Sequence, residues 1–286
     1  ELGGGITASF LDVEKNNQER YEGLEIKDEN NPVLPILRLE ELYEGYKGSG
    51  SMEQMVSVAL GELGRYSEVS VDMVPKTWEE ARGRLRSELV HYGWNLESLK
   101  NIPHRRFLDF AVAYRVELPV QGEFVGGIRV NSVLMGLWGI TERELYETAM
   151  ENLKNEDYRI QPMSELLGSI FGIMPGMLGG IFGITPELME DMPKQYVLTN
   201  EGNRYGAAGL LRKDILESFA EQSGGNFYIL PSSIHELILL PEDFTVNAEC
   251  LKEMVKEVNQ EAVIREEWLS ESVYYYDFKE GTLRVA

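Results

Sequence analysis

N-F-Y-I-L-P-S-S-I-H-E-L-I-L-L-P-E-D, residues 226–243, decides how this chain folds. Two apolar runs, residues 227–230 and 237–240, flank a Pro-Ser-Ser turn. Short apolar runs bounded by turn residues are expected to be central strands, buried on both faces. The richest polar cluster in the chain, Ser232, Ser233, His235 and Glu236, falls at or just after that turn. These four residues are the candidate binding site.

Working outward, the same signals recur. Residues 21–27 and 33–37 surround D-E-N-N-P and predict a hairpin, with Pro32 and Pro35 placing its second strand at a sheet edge. Leu39, Leu42, Tyr43 and Tyr46 follow at helical spacing, stopped by K-G-S-G. Ser51-x-x-Gln54, Thr77-x-x-Glu80 and Thr141-x-x-Glu144 are capping-box patterns that open three helices. The second of these is expected to run to about Tyr92 and to place His91 in its last turn. Residues 107–119 alternate as a half-buried strand, with 127–133 returning beside it. Residues 196–199 and 206–211 predict a hairpin around N-E-G-N-R. A helix over 215–220 should end at Gly224-Gly225, and a last hairpin should join 272–277 to 282–285. Hairpins followed by helices, without strict strand–helix alternation, predict an α+β fold with a largely antiparallel sheet. The expected division is an N-terminal hairpin and helices over 1–75 and a main sheet domain over 76–286.

Charge narrows the partners. Lys and Arg total 27 against 48 Asp and Glu, a net charge of −21. Nucleic-acid affinity comes from counterion release at a basic surface, and no basic stripe stands out here. Arg82, Arg84 and Arg86 are surrounded by Glu79, Glu80 and Glu88. Neither nucleic acid nor anionic membrane is an expected partner. Cys250 is the only cysteine, which fits a reducing, cytoplasmic setting and excludes an intramolecular disulfide.

Residues 166–185 carry no charge. Their length suits a membrane span, but Pro175 and six glycines weaken any helix there. S-I-F-G-I-M-P (169–175) and G-I-F-G-I-T-P (180–186) are near-copies. The stretch is expected to be a Gly/Met-rich flap packed on its own domain, with self-association or partner binding as the alternative.

No catalytic or cofactor motif stands out. G-x-S-x-G, G-x-G-x-x-G, the P-loop and paired metal-binding histidines are all absent, so neither a metal nor a cofactor is expected. A strand beginning near Ser233 would put Ser233 and His235 on one face and Glu236 on the other. A hydrolase would then need an acid from elsewhere to orient His235. The bland alternative is a turn whose hydroxyls satisfy backbone groups.

Five segments carry a resemblance: I-P-H-R-R-F-L-D-F (102–110), L-W-G-I-T-x-x-x-L-Y-x-x-A-x-x-N (137–152), Y-V-L-T-N (196–200), G-A-A-G-L-L (206–211) and F-Y-I-L-P-S-S-I-H-E (227–236). In this order they resemble a family of uncharacterised proteins from anaerobic Gram-positive gut bacteria, defined only as a domain of unknown function. The resemblance implies a single soluble, intracellular protein and brings no activity with it. The expectation is therefore a binding or protein-interaction protein without catalytic activity, acting on a protein or small molecule. The rival is a hydrolase-like enzyme using Ser233 and His235.

Overall fold

The computed structural model describes residues 6–28, 36–65, 73–118, 126–166, 194–242 and 247–286. Strands β1 (Ile6–Glu14), β2 (Arg20–Asp28) and β3 (Ile36–Arg38) form an antiparallel sheet in that order. Glu25 pairs with Ile36, so the expected hairpin forms and its second strand is the edge. β1 is an addition that the sequence reading did not contain. Asn17 and Gln18 turn β1 into β2 with φ of +60° and +59°. The amide of Asn17 donates to the carbonyls of Arg265 and Trp268 at 2.8 and 2.7 Å, tying the hairpin tip to the C-terminal region. α1 (Leu39–Ser49) ends on left-handed Gly50, and α2 (Met52–Arg65) starts where Ser51 Oγ accepts from the Gln54 N–H.

The next segment corrects the expectation. Thr77 does cap a helix, α3 (Trp78–Arg82), but that helix stops at Gly83 and β4 (Leu85–His91) follows. In L-R-S-E-L-V-H the leucines are four apart, which fits both a helix and every second residue of a strand. Tertiary pairing chose the strand. β5 (Arg105–Phe107), β6 (Phe110–Leu118) and β7 (Gly126–Arg129) complete a second antiparallel sheet in which β4 covers one edge of β6, and β5 and β7 share the other. β6 alternates as expected, yet it is buried on both faces for most of its length, because each face has a cover. α4 (Ser132–Trp138) and α5 (Glu142–Lys154) follow, the latter with the expected capping box and with Leu145, Ala149 and Leu153 buried.

β8 (Tyr158–Pro162) and β9 (Tyr196–Asn200) open the third sheet. The strand expected at 206–211 is instead a 3-10 helix, Gly206–Leu211, entered through Tyr205 at φ +56°. α6 (Lys213–Ser223) ends on left-handed Gly224 as expected. β10 (Phe227–Pro231), β11 (Leu237–Pro241), α7 (Ala248–Ala262), β12 (Tyr274–Asp277) and β13 (Thr282–Val285) complete the chain. The six strands of this sheet are antiparallel in the order β13-β12-β10-β11-β9-β8. β10 and β11 are thus inner strands, as their unbroken apolar composition required. The fold is α+β.

Alternation within β10 divides the core. Phe227 and Ile229 face one way, into a cluster with Leu216, Phe219, Ala220, Tyr274 and Tyr276 that continues into the second sheet and α5. Tyr228 and Leu230 face the other way, toward Leu251 and Val255 of α7. Among the described residues, no helix is long and apolar enough to cross a membrane. The Gly/Met-rich stretch, from residue 167 onward, lies outside the described residues.

Candidate functional site

The turn between β10 and β11 sits at one end of the central sheet, and backbone pairing fixes its mouth: Pro231 stands opposite Leu237. Residues 232–236 therefore close a loop and do not extend β11. The same-face geometry expected of Ser233 and His235 does not arise, because strand alternation applies only from Leu237 onward.

Within the turn the polar groups bond one another. Ser233 N–H donates to the Glu236 carbonyl at 3.2 Å, and Ser233 Oγ accepts from the His235 backbone N–H at 3.0 Å. Ser232 Oγ donates to Glu236 Oε1 at 3.2 Å. Ser233 is buried, with 9 % of its surface exposed. These contacts match the hydroxyl-to-backbone pattern of side-chain-stabilised turns.

His235 joins the turn to two other elements. Its Nδ1 accepts from the Tyr205 backbone N–H at 3.0 Å, and its Nε2 lies 3.5 Å from Glu267 Oε1. A neutral imidazole whose Nδ1 accepts carries its proton on Nε2, which then points at the carboxylate. Its backbone carbonyl accepts from Thr199 Oγ1 at 2.9 Å. Gly206 makes this close approach feasible: a Cβ there would stand 2.5 Å from the His235 carbonyl oxygen and 2.5 Å from Thr199 Oγ1. The sequence reading missed Thr199, Tyr205, Gly206 and Glu267. They come from three other segments, and Thr199 and Gly206 entered the expectation only as residues of a predicted hairpin.

A second polar centre was also missed. Asp109 follows Leu108, whose φ of +54° is unusual for a bulky residue and marks the turn between β5 and β6. The Asp109 carboxylate accepts from Tyr274 Oη at 2.7 Å and from Ser270 Oγ at 3.0 Å. His91 Nε2 is 3.8 Å from the same carboxylate. His91 ends β4, where the expectation had placed it in a helix. Its Nδ1 accepts from the Trp94 backbone N–H at 3.1 Å, and its ring stacks on Trp94 with centroids 3.9 Å apart. The Arg265 guanidinium lies over both Trp94 and Trp268, at 4.5 and 4.3 Å. Both histidines thus share one arrangement: Nδ1 accepts from the backbone and Nε2 points toward a carboxylate. Among the described residues, no group of three or more His, Cys, Asp or Glu could hold a metal ion.

This arrangement makes stability depend on pH. Burial holds both histidines below the ordinary imidazole range, partly offset by Asp109 at His91 and by Glu267 at His235. Protonation also forces a proton onto Nδ1, against the N–H already bonded there. A group with a depressed folded pKa leaves stability unchanged above its unfolded value, since both states are neutral. As pH falls below about 6.5 the unfolded chain takes up the protons first, and stability drops until the folded histidines also protonate. Glu156, raised by burial, contributes in the opposite direction. The expected result is a lower urea midpoint at pH 5.5 than at pH 8 in the wild type, and a flatter dependence in the His91→Gln/His235→Gln double variant. Identical pH slopes for the two proteins would contradict it.

The model of a family of unknown function (DUF5688) matches residues 1–278. No curated protein matches the chain, and no solved structure does.

Proposed function

The chain belongs to that family of unknown function, and from this premise we propose a binding or protein-interaction protein without catalytic activity. Ser232, His235 and Glu236 form its contact surface at the polar end of the central hairpin, with the buried Ser233 holding the turn beneath them. The observation that carries the reading is the pairing of the polar groups. The Ser233 hydroxyl accepts from the backbone of His235, while the ring nitrogens are engaged by Tyr205 and Glu267. Nucleophilic catalysis needs a base that takes the hydroxyl proton, and neither ring nitrogen is turned to that task. The arrangement instead holds a short polar loop at one end of the central sheet, where connecting loops carry recognition groups.

The partner in this proposal is a protein, a second copy of the chain, or a small molecule. A net charge of −21 argues against nucleic acid, and the lone Cys250 suits a cytoplasmic setting. The expected source is an anaerobic Gram-positive gut bacterium.

One feature favours the rival, a hydrolase using Ser233 and His235: Glu267 supplies the acid that a triad needs beside the imidazole. A fluorophosphonate probe separates the two readings. The expected result is no adduct on Ser233, with equal hydrolysis of an activated ester by the wild type and Ser233→Ala. Stoichiometric labelling of Ser233 that disappears in His235→Ala would establish the hydrolase.

A further inference from the structure

The second sheet carries a row of arginines that none of the preceding chemistry uses. Arg86 of β4 pairs in register with Arg115 of β6, and Arg115 pairs with Arg129 of β7. Directly opposed residues of adjacent strands project from the same face, so the three arginines spring from neighbouring positions, the head of Arg115 lying over Gly127 and that of Arg129 reaching Glu88. The outer two have carboxylate partners: Arg86 with Glu117 at 3.1 Å, and Arg129 with Glu88, whose side chain is 2 % exposed. Arg115, in the middle, is only 5 % exposed, and no described carboxylate lies within ion-pair distance of it. Its guanidinium lies over the Tyr205 ring at 4.1 Å. Gly127 on β7 leaves the space it occupies, since a Cβ there would overlap the guanidinium.

Such a group is expensive to hold. A guanidinium cannot shed its proton, so burial cannot neutralise it as it would a lysine. A buried cation without a counter-ion is strongly disfavoured, and a cation–π contact offsets only part of that cost. We propose that Arg115 is the recognition residue of a binding site for a carboxylate-bearing small molecule, whose anionic head completes the arginine row.

Charge selects the ligand class. On this face three guanidinium groups meet the two carboxylates Glu88 and Glu117, an excess of one positive charge. Glu156 lies near Arg86 and Glu117 and accepts from Asn200 Nδ2, and burial raises its carboxyl. With Arg86 and Arg129 already paired, the uncompensated guanidinium among the described residues of this row is that of Arg115, and a single negative charge balances it. A phosphate dianion would meet Glu88 and Glu117 with a surplus charge. A planar carboxylate also matches the guanidinium fork with two parallel hydrogen bonds.

The site touches the turn of the preceding section through Tyr205, whose backbone bonds His235 and whose ring stacks under Arg115. It depends on different side chains, and it stands or falls apart from the fate of Ser233. The test is a thermal-unfolding titration of the full chain with sodium acetate and sodium propionate, against sodium chloride at matched ionic strength. The expected result is a saturable rise in midpoint with the carboxylates, an apparent dissociation constant at least tenfold weaker in Arg115→Met, and little response to inorganic phosphate. Arg115→Lys keeps the charge but loses the fork, and it is also expected to weaken binding tenfold; it decides the matter if Arg115→Met does not fold. A wild-type response no larger than that to chloride, an unchanged constant in the folded variants, or a stronger response to phosphate than to carboxylate would overturn the proposal.

Discussion

Arg129→Met is expected to cost about 3–5 kcal/mol of folding stability, as breaking a buried pair does. Glu88 supplies the reason. Its side chain is 2 % exposed, and Arg129 is the partner that compensates its charge. Arg129 stands two strands away, on β7, with β6 between them. Without the guanidinium, a carboxylate remains where water cannot solvate it. The Glu88→Met/Arg129→Met double variant removes both charges and should recover most of the loss. Urea midpoints at constant denaturant slope measure all three proteins. A loss below about 1 kcal/mol in the single variant would mean that the pair behaves like one at the surface.

Phe227→Ala should be comparably damaging, at about 3–5 kcal/mol, for a different reason. Phe227 has no exposed surface. Its ring stands edge-on to Phe219 at 4.9 Å and stacks on Tyr276 at 5.1 Å, joining α6 to the central sheet. Truncation removes both contacts and leaves a cavity between elements fixed by backbone pairing, which collapse poorly. The adjacent Tyr228 faces α7, is only half buried, and meets Tyr275 at 5.2 Å. Tyr228→Ala should cost distinctly less. Thermal unfolding of the two variants tests the contrast, and equal losses would mean that the alternation of β10 does not divide the core as described.

The contrast also indicates what could be read early. Residues 227–230 and 237–240 are unbroken apolar runs, and only an inner strand buries both faces of such a run. Burial thus fixed their place before any partner was known. The helix caps at Thr77 and Thr141 were equally legible, because a cap is settled within three residues of chain. Residues 85–91 were not legible: their leucine spacing fits a helix and a strand alike, and only β6, more than twenty residues later, decided between them. Residues 206–211 looked like a strand returning from a turn, and Tyr205 in a left-handed conformation diverted them into a 3-10 helix.

The site divides the same way. Ser232, Ser233, His235 and Glu236 were found because they are adjacent in sequence, at a turn the apolar runs exposed. Tyr205 and Glu267, which engage the two ring nitrogens of His235, lie 30 and 32 positions from it in the chain, and Arg115 lies further still. By itself the amino-acid order determined the α+β class, the inner hairpin and the acidic balance, since each depends on composition or on neighbours along the chain. Only the tertiary structure decided which groups meet: whether His235 serves Ser233 or Glu267, and that Arg115 has no carboxylate within ion-pair distance among the described residues. Hydrogen bonds and charge pairs act over a few ångströms in space, and separation along the chain does not report that distance.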